Sequence, residues 1–366
     1  MRQKTFTNRY FRWFVAPLAL ALLSGCNMVV MNPTGDIALQ ERNLILVALG
    51  MMLIVVIPVL TLIVVFALRY RKGRAPGRYD PNFTHSTKIE LVVWSIPLLI
   101  IASLGVVTWI TSHTLDPFRP LDRVSAGKPL ARDHKSLDIQ VVAMDWKWLF
   151  IYPEQGIATV NELALPVDVP VRFSITSTSQ FNTLSIPTLA GMIYAMPGMK
   201  SMLHAVLNEP GDSWGYSGNY TGRGYSDMRF QMHGLDQAGF DQWAAGVKAA
   251  GEALSRDRYV ALDQPSEKVP VMHFSAVDKG LFDRVVNRCV VAGTECIADI
   301  MRKDRALDSD NGGMFAPPAM NHASMTMSES MPSMAENAAP ETPAAHDHTN
   351  TGAPTAPEQQ GNHARP

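Results

Sequence analysis

Cysteine is nearly missing from this chain, with three in 366 residues beside 10 histidines and a net charge of −1. The near-neutral balance, with no basic patch interleaved with aromatics, excludes a nucleic-acid binder. No Cys-x-x-Cys-His run occurs, which excludes covalent haem attachment. From Ser136 to His233 there is no cysteine, and the histidines are His204 and His233 alone. A His₂Cys blue-copper set therefore cannot be assembled in that stretch. Neither of the two long apolar runs contains histidine or cysteine, so neither offers the usual axial ligand to a haem.

Those runs, Leu44 to Leu68 and Ile89 to Ile110, are the dominant feature. Each exceeds the roughly 20 residues that a helix needs to cross a ~30 Å hydrocarbon layer. Pro58 and Gly50 do not block a spanning helix, because packed neighbours can satisfy the backbone group that proline frees. Between the runs lie Arg69, Arg71, Lys72, Arg74, Arg78 and Lys88 against Asp80. So short and basic a loop stays on the cytoplasmic side, which sends both ends of the hairpin outward. Glu90 sits just inside the cytoplasmic end of the second run, beside Lys88 and about one helical turn from the interface. An ionisable group there is either functional or reaches to the headgroups.

The N-terminus carries Arg2, Lys4, Arg9 and Arg12, then apolar Phe14 to Leu23, then Leu23-Ser24-Gly25-Cys26. This is a signal-peptide layout. Cysteine after Ser-Gly resembles a bacterial lipobox, which implies cleavage before Cys26 and lipid on its sulfur. Cys289 and Cys296 fall in the outward part, where a disulfide is permitted, with a metal pair as the other reading.

From Leu137 the period changes to two. Leu137, Ile139 and Val141 alternate with polar residues, as do Val171, Phe173 and Ile175, and then Met228, Phe230 and Met232. This predicts antiparallel strands with one buried face, arranged as a sandwich or barrel over about 136–233. Beyond His233 the signal is helical: Phe240, Trp243 and Val247 share one face, and Leu281, Val285 and Cys289 another. The aromatic stretch Met144 to Pro153 predicts core anchors or a subunit contact, with electron transfer as the sharper alternative. His204, in an apolar stretch, is expected to be a hydrogen-bonded core or rim residue.

Together the hairpin, the Trp-rich stretch and the β domain resemble subunit II of the haem-copper terminal oxidases. In the cytochrome c-oxidising branch a cupredoxin domain binds two coppers through a Cys-x-Glu-x-Cys-x-x-x-His-x-x-Met loop and an earlier histidine. The corresponding loop here runs from Ser217 to Met228. Ser217 and Thr221 stand at the thiolate positions, Asn219 at the glutamate and Tyr225 at the histidine. Gly222 follows the second thiolate position, and Met228 alone matches a ligand. The earlier histidine falls near Asn182. The resemblance thus points to the copper-free, quinol-oxidising branch of the cytochrome bo type. Its most specific stretch is Asp145 to Glu162.

What the resemblance implies is a proton-pumping ubiquinol oxidase with ubiquinol as substrate. This subunit carries no cofactor and is not itself catalytic. Haems and copper belong to subunit I, with subunits III and IV and membrane lipid as further partners. The family's second span bears a glutamate at the mouth of a proton-uptake path, and Glu90 matches it. The location implied is the bacterial inner membrane, with the β domain periplasmic.

The expected fold class is a membrane α-helical hairpin plus an all-β cupredoxin-like domain, followed by short helices and a disordered tail. In residue numbers this gives a leader over 1–25 and an outer segment over 26–43. Spans cover 44–68 and 89–112 around a loop over 69–88, and a linker covers 113–135. The β domain covers 136–233, the helical region 234–307 and the tail 308–366. The tail has few large apolar residues besides methionine. Its Met320, His322, Met325, Met327, Met331, Met334, His346, His348 and His363 suit copper capture, which leaves a lipoprotein scaffold or copper chaperone as one rival function. A copper-containing cytochrome c oxidase subunit is the other.

Overall fold

The computed structural model describes residues 28–71, 84–131 and 134–310. Helix α1 (Asp36–Arg69) and helix α2 (Thr87–Thr114) carry the two apolar runs. Both are long and apolar enough to cross a membrane, and the apolar stretch of each is wholly unburied within the chain. Leu98 and Ile101, for example, are 67% and 68% exposed. Helices of a soluble core would hide such side chains, so the runs face a solvent that is itself apolar.

Helix α1 is longer than its apolar run, starting at Asp36 rather than Leu44. At 1.5 Å per residue it reaches roughly 50 Å, well beyond a bilayer's core. Its first turns belong to the β domain. Asp36 is buried and receives two bonds from the Arg123 guanidinium, at 2.8 and 3.1 Å. Gly35 just before it lies where a Cβ would meet Leu189 O at 2.5 Å, so only glycine permits this approach.

A two-stranded ribbon, β1 (Arg123–Ser125) and β2 (Lys128–Pro129), leads from the hairpin into the domain. The next strands are β3 (Leu137–Met144), β4 (Lys147–Tyr152), β5 (Ile157–Val160), β6 (Glu162–Pro166) and β7 (Pro170–Ser177). They are followed by β8 (Asn182–Ile186), β9 (Ala190–Ala195), β10 (Ser201–Val206), β11 (Gly211–Ser217) and β12 (Arg229–Leu235). Beyond these come α3 (Gln237–Ala250), β13 (Glu252–Leu254), α4 (Arg256–Leu262), β14 (Met272–Val277), α5 (Leu281–Val286) and α6 (Ile297–Asp310).

One sheet has the order β10-β7-β3-β4-β5-β14-β13 and the other β6-β12-β11-β8-β9. Alternate residues of both meet in a common core of Ile139, Val141, Trp148, Phe150, Phe173, Leu184, Phe230 and Met232, among others. Phe150 and Phe230 pack edge to face, with ring centres 4.8 Å apart. The aromatic stretch therefore supplies core anchors: Trp148, Phe150 and Tyr152 have no exposed surface. The membrane hairpin and the cupredoxin-like sandwich are as expected, but the strands are not all antiparallel. β3 pairs β7 and β12 pairs β6 in parallel, because side-chain alternation reports a buried face and not the direction of the neighbouring strand.

The region after His233 departs from expectation. It is not purely helical, because β13 and β14 extend the seven-stranded sheet, with β14 pairing β5. The physical reason is a second core on that sheet's other face. Val142, Met144, Leu149, Ile151 and Val160 pack there against Tyr259, Phe274, Phe282 and Val285. A sheet covered on both faces needs a covering layer, and the C-terminal region is that layer. Cys289 does not share the α5 face either, since the helix ends at Val286 and Arg288 turns into the left-handed region with φ 54.

Candidate functional site

The loop matched to the copper ligands leaves β11 at Ser217 and returns into β12 through a 3-10 turn at Tyr225–Asp227. Two turns flank it. The turn after β7 delivers Asn182, and the turn between β3 and β4 delivers Trp146 with φ 66, an uncommon backbone for a bulky residue. Trp146 donates from its indole to Thr221 O at 3.0 Å and covers Gly222 and Gly224 of the loop. A Cβ on Gly224 would lie 2.5 Å from the Trp146 ring.

Inside the loop, neutral groups bond to one another. The Ser217 hydroxyl donates to Asn182 Oδ1 at 3.1 Å, and Asn182 Nδ2 donates to Gln180 O at 3.2 Å. The Thr183 hydroxyl donates to Asn219 Oδ1 at 2.8 Å. Met228 is buried in the sandwich core, and Asn182 and Ser217 are buried beside it. Asn182, Ser217 and Asn219 are thus brought together. Thr221 is tied in through Trp146, while its own hydroxyl is buried with no partner among the described residues. Tyr225 packs edge-on to Tyr220, with ring centres 5.6 Å apart. A groove of about 820 Å³ opens beside this loop, walled by Trp214, Tyr216, Arg229 and the N-terminal Val29 and Val30.

Sequence reasoning missed Lys147. It has no exposed surface, and its ammonium donates to Gln264 O at 2.9 Å, Ser266 Oγ at 2.8 Å and Asp145 O at 3.3 Å. Burial lowers its pKa below 10.5, opposed by the Asp263 and Asp145 carboxylates. Burial likewise raises Asp263 above 3.8. The available signal was a lysine inside an otherwise apolar, aromatic run.

The remaining predicted positions lie apart. Glu90 is exposed on the first turn of α2, where its Oε1 accepts the Ser86 N–H at 3.3 Å, so it also helps close that helix end. A disulfide joins Cys289 and Cys296, with Cα atoms 4.8 Å apart. His204 Nδ1 meets Pro117 O at 3.2 Å, in keeping with a rim histidine. Cys26 and the methionines and histidines of the tail fall outside the described residues. Among the described residues, no group of three or more His, Cys, Asp or Glu could hold a metal ion.

Residues 248–293, the layer containing β13, α4, β14 and α5, match the family model described as the COX Aromatic Rich Motif. The aromatics buried there are Tyr259, Phe274 and Phe282. The cytochrome bo(3) ubiquinol oxidase subunit 2 of Pseudomonas putida is 46% identical over 282 residues, covering 76% of this chain and 87% of that protein. Its counterpart in Pseudomonas aeruginosa is 48% identical over 277 residues, covering 76% and 81%. The ubiquinol oxidase subunit 2 of Acetobacter aceti is 46% identical, covering 72% and 84%. Among solved structures, the periplasmic domain of cytochrome oxidase subunit II from Bradyrhizobium japonicum aligns at 20% identity and a TM-score of 0.30, over 31% of this chain and 96% of that one. With this identity sustained over three quarters of its length, the chain belongs to the subunit 2 family of the cytochrome bo(3) ubiquinol oxidases.

Proposed function

We propose that this chain is the copper-free subunit II of a proton-pumping ubiquinol oxidase, which oxidises ubiquinol and reduces oxygen to water. The observation that carries the reading is the donor set of the loop from Ser217 to Met228. Two copper ions in a shared site are bridged by thiolates and completed by imidazole, both strong ligands for that metal. Here the corresponding groups are the Ser217 and Thr221 hydroxyls, the Asn182 and Asn219 amides and the Tyr225 phenol, with Met228 the one soft atom. The Ser217 and Asn182 side chains already bond to each other. This set does not fit a two-copper centre, and no electron step runs through it.

Electrons enter the complex from quinol in the membrane, and the haems and copper sit in subunit I. This chain is non-catalytic: α1 and α2 dock it on that subunit, and the sandwich caps the outer face. Subunits III and IV complete the assembly, in the bacterial inner membrane with the sandwich on the periplasmic side. Cys26 carries lipid as an accessory anchor, since two spans already hold the chain. Glu90 stands at the mouth of a proton-uptake path shared with subunit I.

Purification of the intact chain from membranes in mild detergent tests the reading. A haem-bearing subunit should accompany it, and the separated chain should show neither haem absorbance nor quinol oxidation. Either activity in the separated chain would overturn the proposal. For Glu90→Ala, assembly should persist while turnover slows, and unchanged turnover across a range of pH would remove the proton role.

A further inference from the structure

Where the five-stranded sheet meets the C-terminal layer, four titratable side chains form a chain of contacts. Asp212 on β11 and His233 on β12 are direct cross-strand partners, and His233 Nδ1 lies 2.8 Å from Asp212 Oδ1. On its other side, His233 Nε2 lies 3.4 Å from Glu162 Oε1 on the neighbouring strand β6. The second oxygen of Glu162 meets His273 Nε2 of β14 at 2.6 Å and receives the Trp243 indole N–H of α3 at 3.4 Å. Gln231 adds a longer contact to the far oxygen of Asp212, at 3.5 Å. Glu162 is 15% exposed, so its charge depends on these partners, whereas Asp212 is 63% exposed.

The geometry assigns a proton. A neutral imidazole has one N–H and one lone pair, while an imidazolium donates from both nitrogens. Each ring nitrogen of His233 faces a carboxylate oxygen, so both contacts are attractive only when the ring carries two protons. Take one away and a lone pair points at an ionised oxygen. His273 presents one nitrogen to Glu162, for which a single N–H suffices. We propose that Asp212, His233, Glu162 and His273 form a proton-dependent latch that holds the C-terminal layer, through β14 and α3, against the five-stranded sheet. The second proton on His233 closes it. On deprotonation the ring keeps its short bond to Asp212, and its bare Nε2 turns the Glu162 carboxylate away from His273 and Trp243. The latch is independent of the copper-free reading, because none of its residues lies in the loop from Ser217 to Met228.

Hydrogen exchange on the intact chain in detergent tests it, with rates corrected for the intrinsic pH dependence of exchange. Imidazoles ordinarily change charge between about pH 5 and 8, so the comparison is made at about pH 6 and about pH 8.5. Amides of β14 and α3 should lose about tenfold in protection at the higher pH, the order expected for one charge-assisted hydrogen bond. His233→Gln, which has no titrating ring, should abolish the difference. Asp212→Asn alters only an exposed edge and leaves one carboxylate facing His233, so a neutral ring then suffices and the difference should also shrink. Equal protection of the wild type at both pH values, or the same loss persisting in both variants, would overturn the latch.

Discussion

Two buried tyrosines make the same chemical change read out opposite physics. The Tyr152 hydroxyl accepts the Ala164 N–H at 2.9 Å and donates to the Ala164 carbonyl at 3.1 Å, clamping β6 to β4 from within the core. Burial accordingly raises the phenol's pKa above 10.0. Tyr259 is also buried, in the second core, but its hydroxyl has no partner among the described residues. In Tyr152→Phe two buried backbone groups lose a partner. At about 1–3 kcal/mol for each unsatisfied group, less the relief of no longer burying the hydroxyl, the net loss is about 2–3 kcal/mol. For a domain of this size that lowers the melting temperature by roughly 4–12 °C. In Tyr259→Phe an unpaired polar atom leaves an apolar site, so stability should stay within about 1 kcal/mol of wild type, on the stabilising side. The assay is thermal unfolding of the full chain in detergent followed by near-UV circular dichroism, which reports the β domain's aromatic packing rather than the helices. Equal losses from the two substitutions would refute the hydrogen-bond argument.

Three other outcomes follow from packing and charge. Gly224→Ala should cost about 1–3 kcal/mol and disturb Trp146, since the new methyl would sit 2.5 Å from the indole ring, and an unshifted melting curve would contradict this. Gly246→Ala in α3 meets nothing within 4 Å, so it should stabilise by about 0.5–1 kcal/mol through reduced backbone entropy. For Lys147, burial holds the folded pKa below 10.5. Between that lowered value and 10.5 the unfolded chain binds a proton that the folded chain has released, so stability rises with pH in that window. Lys147→Met should remove this slope in urea unfolding, and identical slopes in the two proteins would count against it.

Much of the architecture was legible because it rests on local pattern. Two apolar runs longer than a bilayer's core announce the hairpin, and Leu137, Ile139 and Val141 announce a strand through period-two alternation. The loop from Ser217 to Met228 could be compared residue by residue with the ligand loop it resembles because the two share one spacing. What escaped notice depends on contacts distant in sequence. The start of α1 at Asp36 reflects the ion pair of its buried carboxylate with the half-buried Arg123, 87 residues away. The strand at Met272–Val277 exists because β5 offers it an edge and the second core offers Phe274 a place. One local clue was present: from Val141 to Met144 the alternation gives way to four apolar residues in succession, the mark of a sheet buried on both faces. The contact between Glu162 and His273 spans 111 residues and left no trace in periodicity.

The copper-to-haem ratio of the purified, fully assembled oxidase tests the copper-free reading most directly. If hydroxyls, amides and a phenol have replaced the metal-gripping groups, all the metal belongs to subunit I, and the preparation should hold one copper for every two haems. Three coppers for every two haems, with the extra pair lost on substitution around Ser217 and Thr221, would contradict it.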